Sequence, residues 1–241
     1  MRRVFEIAAI ALGGAVAVAM LGFYGWTRLS RYPAFDYAAS LAGEVETVKG
    51  WYALEPEGEP VAGLVFYPGG LVDPAAYAPL MQRLSDGGVL AVIVPMPLDL
   101  AVFGIRRADE VIDAYPDVEH WAIGGHSLGG AMACEYVAVH PEVFDGLVLL
   151  ASYPAESTDL SATNIQTTLI YGTEDGVSID VFEESVARLP ADTVLVEISG
   201  GNHAQFGDYG PQKGDGTASV SREQQQRLSA ESILVLLGRL E

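Results

Sequence analysis

A serine set between glycines is the first residue whose type and spacing point to chemistry. Residues 125–129 read GHSLG, which matches the G-x-S-x-G pattern of a serine nucleophile, with Ser127 at its centre. A strand-like apolar run precedes the pattern and a helix-like run follows it, which is the setting that such a turn requires. The hydroxyl of Ser127 would then lie above a helix N-terminus, whose dipole favours developing negative charge. A glycine-rich turn that serves packing alone is the alternative.

A serine hydroxyl needs a base, and the chain offers four histidines. His203 lies in a glycine-rich stretch, SGGNHAQF, directly after the last predicted strand, where a base can approach the serine from the far side of a sheet. His120 precedes a predicted strand, and His140 ends the helix that follows Ser127. His126 is the variable residue of the serine pattern, so we expect it to pack rather than to catalyse. The predicted base is therefore His203, and a loop histidine with no catalytic part is the alternative.

An imidazole that acts as a base needs a carboxylate to fix its tautomer and to stabilise the imidazolium. The segment GTEDG, residues 172–176, follows another predicted strand and offers Glu174 and Asp175. We expect Asp175, because it stands at the far end of this loop beside Gly176; Glu174 is the alternative. Capping of the next helix, the other possible role, suits Ser178 better. The order along the chain is then serine, acid, histidine.

Short apolar runs rich in β-branched residues alternate with helix-like stretches along most of the chain. Strands are predicted at residues 61–67, 89–94, 121–124, 146–151, 167–171 and 193–198, with an antiparallel leader at residues 47–54. Helices are predicted at residues 74–88, 107–114, 128–139, 178–188 and 221–240. Strands separated by helices form a parallel sheet covered on both faces, so the predicted fold class is α/β with a mostly parallel, doubly wound sheet. Functional groups in such sheets gather at the carboxyl ends of the strands.

These motifs together resemble the α/β-hydrolase family, and within it the compact, lid-poor, single-domain branch distantly related to lipases and dienelactone hydrolases. The resemblance covers residues 45–240 and rests on GGHSLGGA, YGTEDG and GGNHAQFGDYGPQKGDG. It implies a nucleophile on a sharp turn, an acid after a late strand and a histidine after the final strand, which fall on Ser127, Asp175 and His203. The family's usual His-Gly pair after the third strand is replaced here by YPGGL, residues 67–71.

Acyl transfer also needs two backbone N–H groups that stabilise the oxyanion of the tetrahedral intermediate. One follows the nucleophile, at Leu128. The family's register, taken from the downstream aromatic residue Tyr77, implies that Gly70 supplies the second, while Leu71 lies one residue away. A glycine pair that only turns the chain into its helix is the alternative.

Four side chains close to these groups are candidates for contact with the substrate: Tyr67, Leu71, Phe206 and Tyr209. Tyr67 is a candidate third donor to the oxyanion. Phe206 and Tyr209, which follow His203, are candidate walls of an acyl pocket, although loop packing explains them equally well.

A serine nucleophile predicts an acyl-enzyme that water then attacks, which favours hydrolysis of carboxylic esters. Residues 152–166 are too few for a cap domain, so we expect an open cleft suited to small acyl groups. A thioesterase, an amidase or an acyltransferase would use the same residues, and a membrane-held binding protein without catalysis is a further alternative. No cofactor is expected. No metal is expected either, because Asp208 and Asp215 lack the ligand spacing of a calcium loop.

The amino-acid composition limits the classes of molecule that the protein can bind. The chain has 32 acidic and 13 basic residues, a formal net charge of -19, which excludes nucleic acid as a partner because nucleic-acid binders need basic surface. A small acyl ester is the expected partner. The single cysteine, Cys134, excludes an internal disulfide, and we expect it to be buried and inert.

The N-terminal segment has a different character from the rest. Residues 7–26 carry no charge, and 20 residues of helix span ~30 Å, the thickness of a bilayer core. Arg2 and Arg3 precede this run, and Tyr24 and Trp26 stand where an interfacial aromatic belt would lie. We therefore predict an uncleaved single-pass membrane anchor with the catalytic domain outside the cytoplasm; a cleaved signal peptide and a buried helix are the alternatives.

The predicted domain organisation follows from these assignments. Residues 1–30 form the membrane anchor, residues 31–45 a linker and residues 46–241 the α/β-hydrolase catalytic domain.

Overall fold

The structure, a computed structural model, describes residues 2–45, 47–177 and 182–240, with side chains from residue 12 onward. It divides into two units, Met1–Arg31 and Tyr32–Glu241. The first unit consists of one α-helix, α1 (Arg2–Leu29). A helix is the secondary structure that the sequence predicts for the apolar run in this segment. Among the described residues, no helix combines the length and the apolar character that a bilayer crossing requires. The side chains of Arg2 and Arg3 lie outside the described part.

The second unit is built on one sheet of eight strands, which appear along the chain as β1 (Thr47–Val48), β2 (Trp51–Leu54), β3 (Ala62–Tyr67), β4 (Val89–Ile93), β5 (Trp121–His126), β6 (Gly146–Leu150), β7 (Gln166–Gly172) and β8 (Val194–Ile198). Their order across the sheet is β1-β2-β4-β3-β5-β6-β7-β8. The pairs from β4 to β8 are parallel, whereas β1 and β2 run antiparallel to their neighbours. The mostly parallel sheet is therefore as predicted.

The antiparallel leader predicted over residues 47–54 is a hairpin of two strands rather than one strand. Lys49 and Gly50 join β1 to β2, and both have positive φ angles, 49° and 89°. Such angles at both central residues are those of a two-residue hairpin turn, which reverses the chain within the predicted strand.

The described residues of the second unit form six α-helices: α2 (Asp36–Glu44), α3 (Ala78–Asp86), α4 (Arg107–Ala114), α5 (Leu128–Val139), α6 (Phe182–Val186) and α7 (Arg222–Leu237). The sheet separates two apolar clusters, one that includes residues of α3 and α7 and one that includes residues of α4 and α5. Successive residues of a strand point to opposite faces, so Leu64 and Phe66 join the first cluster while Val65 and Tyr67 join the second. Residues 178–181, the predicted start of α6 with Ser178, lie outside the described residues.

Residues 32–45, predicted as a linker, are instead part of the domain. Tyr32 forms a bridge with Val72 and Ala34 forms one with Tyr209. The helix α2 that follows buries Ala38 and Ala42 on one face. The linker prediction failed because an alanine face gives little hydrophobic signal in the sequence, although it allows close packing.

Candidate active site

The predicted nucleophile lies on a strained turn between β5 and α5. Ser127 has φ 51° and ψ −122°, a conformation that L-residues rarely adopt. Its N–H donates to the carbonyl of Leu150 at 3.0 Å, and its carbonyl accepts from the hydroxyl of Ser152 at 2.6 Å. A Cβ at residue 129 would lie 2.0 Å from the carbonyl oxygen of Tyr67, so only glycine fits there. The turn is thus pressed against the end of β3, and Ser127 remains partly exposed.

The predicted acid and base form a buried pair. Asp175 follows β7 and His203 follows β8, and Nδ1 of His203 lies 2.9 Å from Oδ2 of Asp175 with neither side chain exposed. A carboxylate only accepts hydrogen bonds, so Nδ1 carries the proton and Nε2 is left as the basic atom. The second oxygen of Asp175 accepts from the N–H of Val177 at 2.8 Å. Glu174, the alternative acid, is exposed.

The base lies beside the residue that precedes the nucleophile. The ring of His203 packs on the ring of His126, with 4.5 Å between the centroids. Within the described residues, Nε2 of His203 makes no hydrogen bond, so it is not bonded to the hydroxyl of Ser127 in this structure. Catalytic hydrogen bonds are often long or unformed before substrate binds, so an unmade bond at this point does not exclude His203 as the base.

A carboxylate later in the same loop holds the backbone of the base. Asp215 accepts from the N–H of His203 at 3.0 Å, of Ala204 at 2.8 Å and of Gly216 at 2.9 Å. Asp208 accepts from the side-chain amide of Gln226 at 2.8 Å. Both carboxylates therefore bind protein donors, and among the described residues no group of three His, Cys, Asp or Glu side chains could hold a metal ion. The sequence analysis missed the part played by Asp215, although the GDG that contains it belongs to the quoted motif.

The hydrogen bonds of residues 69–71 distinguish between the candidate oxyanion donors. The N–H of Gly69 donates to the hydroxyl of Tyr77 at 3.0 Å, and that of Leu71 donates to the carbonyl of Asp99 at 2.7 Å. Within the described part of the chain, the N–H of Gly70 has no such acceptor. The N–H of Leu128, in the first turn of α5, has no carbonyl within its own helix to bond. The two residues are neighbours in space, since a Cβ at Gly70 would lie 3.1 Å from Cδ2 and 3.5 Å from Cβ of Leu128.

Three of the four predicted substrate contacts are buried instead. The side chain of Tyr67 points to the face of the sheet that carries α4, where its hydroxyl donates to the carbonyl of Ile105 at 2.5 Å and accepts from the N–H of Ala108 at 3.0 Å. Burial raises the pKa of this phenol. Phe206 and Tyr209 are fully buried as well. The burial of Phe206 and Tyr209 agrees with the loop-packing alternative, and the sequence did not state which face of the sheet Tyr67 takes.

Apolar side chains that the sequence analysis missed occur at residues 100–103, and Leu100 forms a rim beside Gly70. Leu100 has a methyl group 3.8 Å from the position that a Cβ at Gly70 would take. Val102 and Phe103, in the short 3-10 helix Ala101–Phe103, are 44% and 53% exposed. Leu71, the fourth predicted contact, is partly exposed near this rim. The signal was present in the apolar run LDLAVF, residues 98–103.

Two other predicted residues are buried as expected. His126 is fully buried and packs against aromatic neighbours. Cys134 is a free, fully buried cysteine, and burial raises the pKa of its thiol, which keeps it unreactive.

This geometry agrees with a comparison against protein families. Residues 63–227 match the Alpha/beta hydrolase family, which is most of the chain. The protein belongs to that family. No curated protein sequence matches the chain.

Solved structures of other α/β hydrolases share the fold. Est1E from Butyrivibrio proteoclasticus superposes with a TM-score of 0.58 at 14% identity, over 80% of this chain and 98% of its own. MGS-MChE2, an alpha/beta hydrolase enzyme from a metagenome of sediments from the lagoon of Mar Chica, Morocco, gives 0.56 at 20% identity, over 68% and 90%. Dienelactone hydrolase from Anabaena variabilis gives 0.54 at 18% identity, over 75% and 88%. At such low identities the likeness concerns the fold alone.

Proposed function

We propose that this protein is a serine hydrolase that cleaves carboxylic esters of short acyl chains. Ser127 is the nucleophile, His203 the base and Asp175 the group that orients the base. The observation that carries the proposal is the buried pair of Asp175 and His203, whose Nε2 is left without a hydrogen bond beside the strained turn of Ser127.

The reaction follows from the chemistry of these groups. His203 takes the hydroxyl proton of Ser127 on Nε2 while the oxygen attacks the acyl carbon, and Asp175 stabilises the resulting imidazolium. The N–H groups of Gly70 and Leu128 donate to the oxyanion of the tetrahedral intermediate. When the intermediate collapses, the bond to the leaving alcohol breaks and His203 returns the proton to that oxygen. Water then attacks the acyl-enzyme by the same steps, which release the acid.

The preference for short acyl chains is supported by what surrounds the serine. The segment between β6 and β7 is too short to form a cap over it. Val102 and Phe103, 44% and 53% exposed, follow Leu100 in the chain, so apolar surface is available for a small acyl group. Est1E has been solved with ferulic acid bound, and because a carboxylic acid is the product of ester hydrolysis, this supports an ester substrate by analogy.

A fluorophosphonate probe tests the nucleophile. Covalent labelling of the wild-type chain that disappears in Ser127→Ala supports the proposal, whereas a folded wild-type chain that takes no label contradicts it and favours a binding protein. A panel of p-nitrophenyl esters, thioesters and amides of increasing acyl length then tests the reaction. We expect the highest kcat/KM on short esters, and a steady rise toward long chains would contradict that choice.

We also propose that α1 anchors the protein in a membrane, with the hydrolase domain outside the cytoplasm. Apolar side chains of this helix, including Leu12, Val16, Val18 and Leu21, are exposed, and a bilayer would cover them. In fractionated cells we expect the full chain in the membrane fraction at high salt, and protease added outside the cytoplasmic membrane should degrade the domain. Recovery in the soluble fraction would contradict the anchor, and protection of the domain would contradict its orientation.

A further inference from the structure

Tyr77 joins two parts of the candidate site through one hydroxyl. It ends the 3-10 helix Pro74–Tyr77 and is fully buried. Its oxygen accepts from the N–H of Gly69 at 3.0 Å and lies 2.8 Å from Nδ1 of His126. Burial raises the pKa of this phenol, so Tyr77 keeps its proton. That proton is then available for donation to Nδ1 of His126, which satisfies the phenol, the imidazole nitrogen and the backbone N–H together.

The pair of Tyr77 and His126 lies directly against the backbone of Gly69. A Cβ at residue 69 would be 2.7 Å from Nδ1 of His126 and 2.9 Å from the hydroxyl of Tyr77, so any side chain there would displace one of them. Gly69 is therefore required for the contact itself. The next residue along is Gly70, the proposed oxyanion donor.

The other face of His126 supports the base. His126 directly precedes Ser127, and its ring packs on that of His203 at 4.5 Å. Burial lowers the pKa of His126, and the neighbouring His203 lowers it further. The ring is thus neutral and does not compete with His203 for the proton that leaves the serine.

We propose that Tyr77 and His126 are a positioning pair, which holds the loop of Gly70 and the ring of His203 in register around Ser127. The inference rests on the proposed function, since it assigns how the same site is held in place. Neither residue touches the reacting atoms. The hydroxyl of Tyr77 fixes the backbone of Gly69, next to the oxyanion donor Gly70, and it also fixes the tautomer of His126. The ring of His126 in turn packs against the ring of His203 and holds it in place. Both parts of the transition-state site therefore depend on one hydrogen-bonded unit.

The substitution Tyr77→Phe removes the hydroxyl and keeps the ring. We expect kcat on a short p-nitrophenyl ester to fall about 10- to 100-fold while KM changes less than about 3-fold, because misplacement of an oxyanion donor weakens binding of the transition state and not of the substrate. The affinity for a trifluoromethyl ketone, which forms a tetrahedral adduct, should fall by the same factor. The matched control is Tyr136→Phe, which removes a buried hydroxyl that α5 directs to Asp109, away from the site.

His126→Phe provides a second, independent variant, and the double variant tests the pair. If the two side chains act as a unit, Tyr77→Phe combined with His126→Phe should lose about as much kcat as the larger single loss, whereas multiplied losses would contradict the pair. Rates are expressed per labelled serine, so a variant that folds poorly is corrected for its inactive fraction. Unchanged kcat and inhibitor affinity in labelled Tyr77→Phe, or losses no larger than in Tyr136→Phe, would overturn this inference alone. Absence of label in the wild type would contradict the proposed function instead.

Discussion

The turn that carries Ser127 and the loop that carries His203 hold their side chains by different physical means. In the turn, the backbone itself does so: a strand and a helix meet at a residue with φ 51°, and Gly129 allows the turn to touch β3. In the loop, polar side chains bind the backbone: Asp215 accepts from the N–H of His203, and Gln225 accepts from and donates to the backbone of Asn202. The residues that shape the turn are adjacent in sequence, although the turn also bonds Leu150 and Ser152, whereas the loop depends on side chains 12 to 23 positions away. A local pattern can therefore indicate the candidate nucleophile, but it does not show what supports the candidate base.

The largest expected effect tests whether the two regions act as one unit. His203→Ala should lower kcat about 10⁴- to 10⁶-fold, and Ser127→Ala should do the same, because each depends on the other for the proton transfer. The double variant should be no slower than either single one. Initial rates on a short p-nitrophenyl ester measure this, and multiplied losses or a His203→Ala variant with near-normal turnover would separate the two regions.

The turn of Ser127 should be sensitive to a change in its backbone at Gly129. Gly129→Ala places a Cβ within 2.0 Å of the carbonyl oxygen of Tyr67, so the free energy of unfolding should fall by about 3 kcal/mol or more. Gly210→Ala is the matched control in the histidine loop, since a Cβ there meets nothing within 4 Å, and its effect should stay within about 0.5 kcal/mol. Denaturant unfolding followed by tryptophan fluorescence gives both values. Equal stability of the two variants would show that the turn can accommodate a Cβ at residue 129, contrary to the prediction.

The loop should respond instead to loss of a side-chain acceptor. Asp215→Asn replaces one of two oxygens that both accept backbone N–H groups, so the amide must face a donor and the base should shift. We expect kcat to fall about 10- to 100-fold with KM nearly unchanged. Asp208→Asn keeps an oxygen for Gln226, and kcat should stay within about 3-fold of the wild type. If both variants behave alike, Asp215 does not position His203.

The smallest expected effect is on the pH dependence of stability, through the imidazole ring of His126, which lies between the turn and the loop. The folded pKa of His126 lies well below 6.5, so below that pH the unfolded chain binds a proton that the folded chain does not. The contribution of neutral His126 to the free energy of unfolding is fully present above pH 6.5. It is lost as the pH falls toward the folded pKa, by up to about 1.4 kcal/mol per pH unit. The ionisable groups that face this ring are His203, Asp175, Tyr77 and Tyr209.

The variant His126→Gln removes the titratable imidazole, so the unfolded chain no longer binds a proton at this residue. The amide oxygen of the glutamine can still accept a hydrogen bond from the hydroxyl of Tyr77. Its unfolding free energy, measured between pH 7.5 and pH 5, should therefore fall less steeply than that of the wild type. Parallel slopes for the two proteins would mean that the imidazole of His126 titrates alike in the folded and unfolded chains.

Much of the fold was predictable, because strands buried on both faces are apolar throughout and stand out between helices. The six parallel strands lie where the sequence predicts them, within a few residues. The hairpin of β1 and β2 and the helix α2 were not predicted, since a two-residue turn and an alanine face leave weak traces. Both contact distant parts of the chain, since β2 pairs with β4 and α2 packs against α3.

The sequence by itself determined the residue types of the site, their order and the strands that they follow, because the strained turn, the acid and the base each occupy a short stretch of chain. Only the tertiary structure decided which side chains face one another. It placed Asp175 rather than Glu174 against His203, turned Tyr67 to the opposite face of the sheet and brought Tyr77, Gly69 and His126 together. The physical reason is that hydrogen bonds of this kind join residues that are close in space and far apart along the chain, and no local pattern records them.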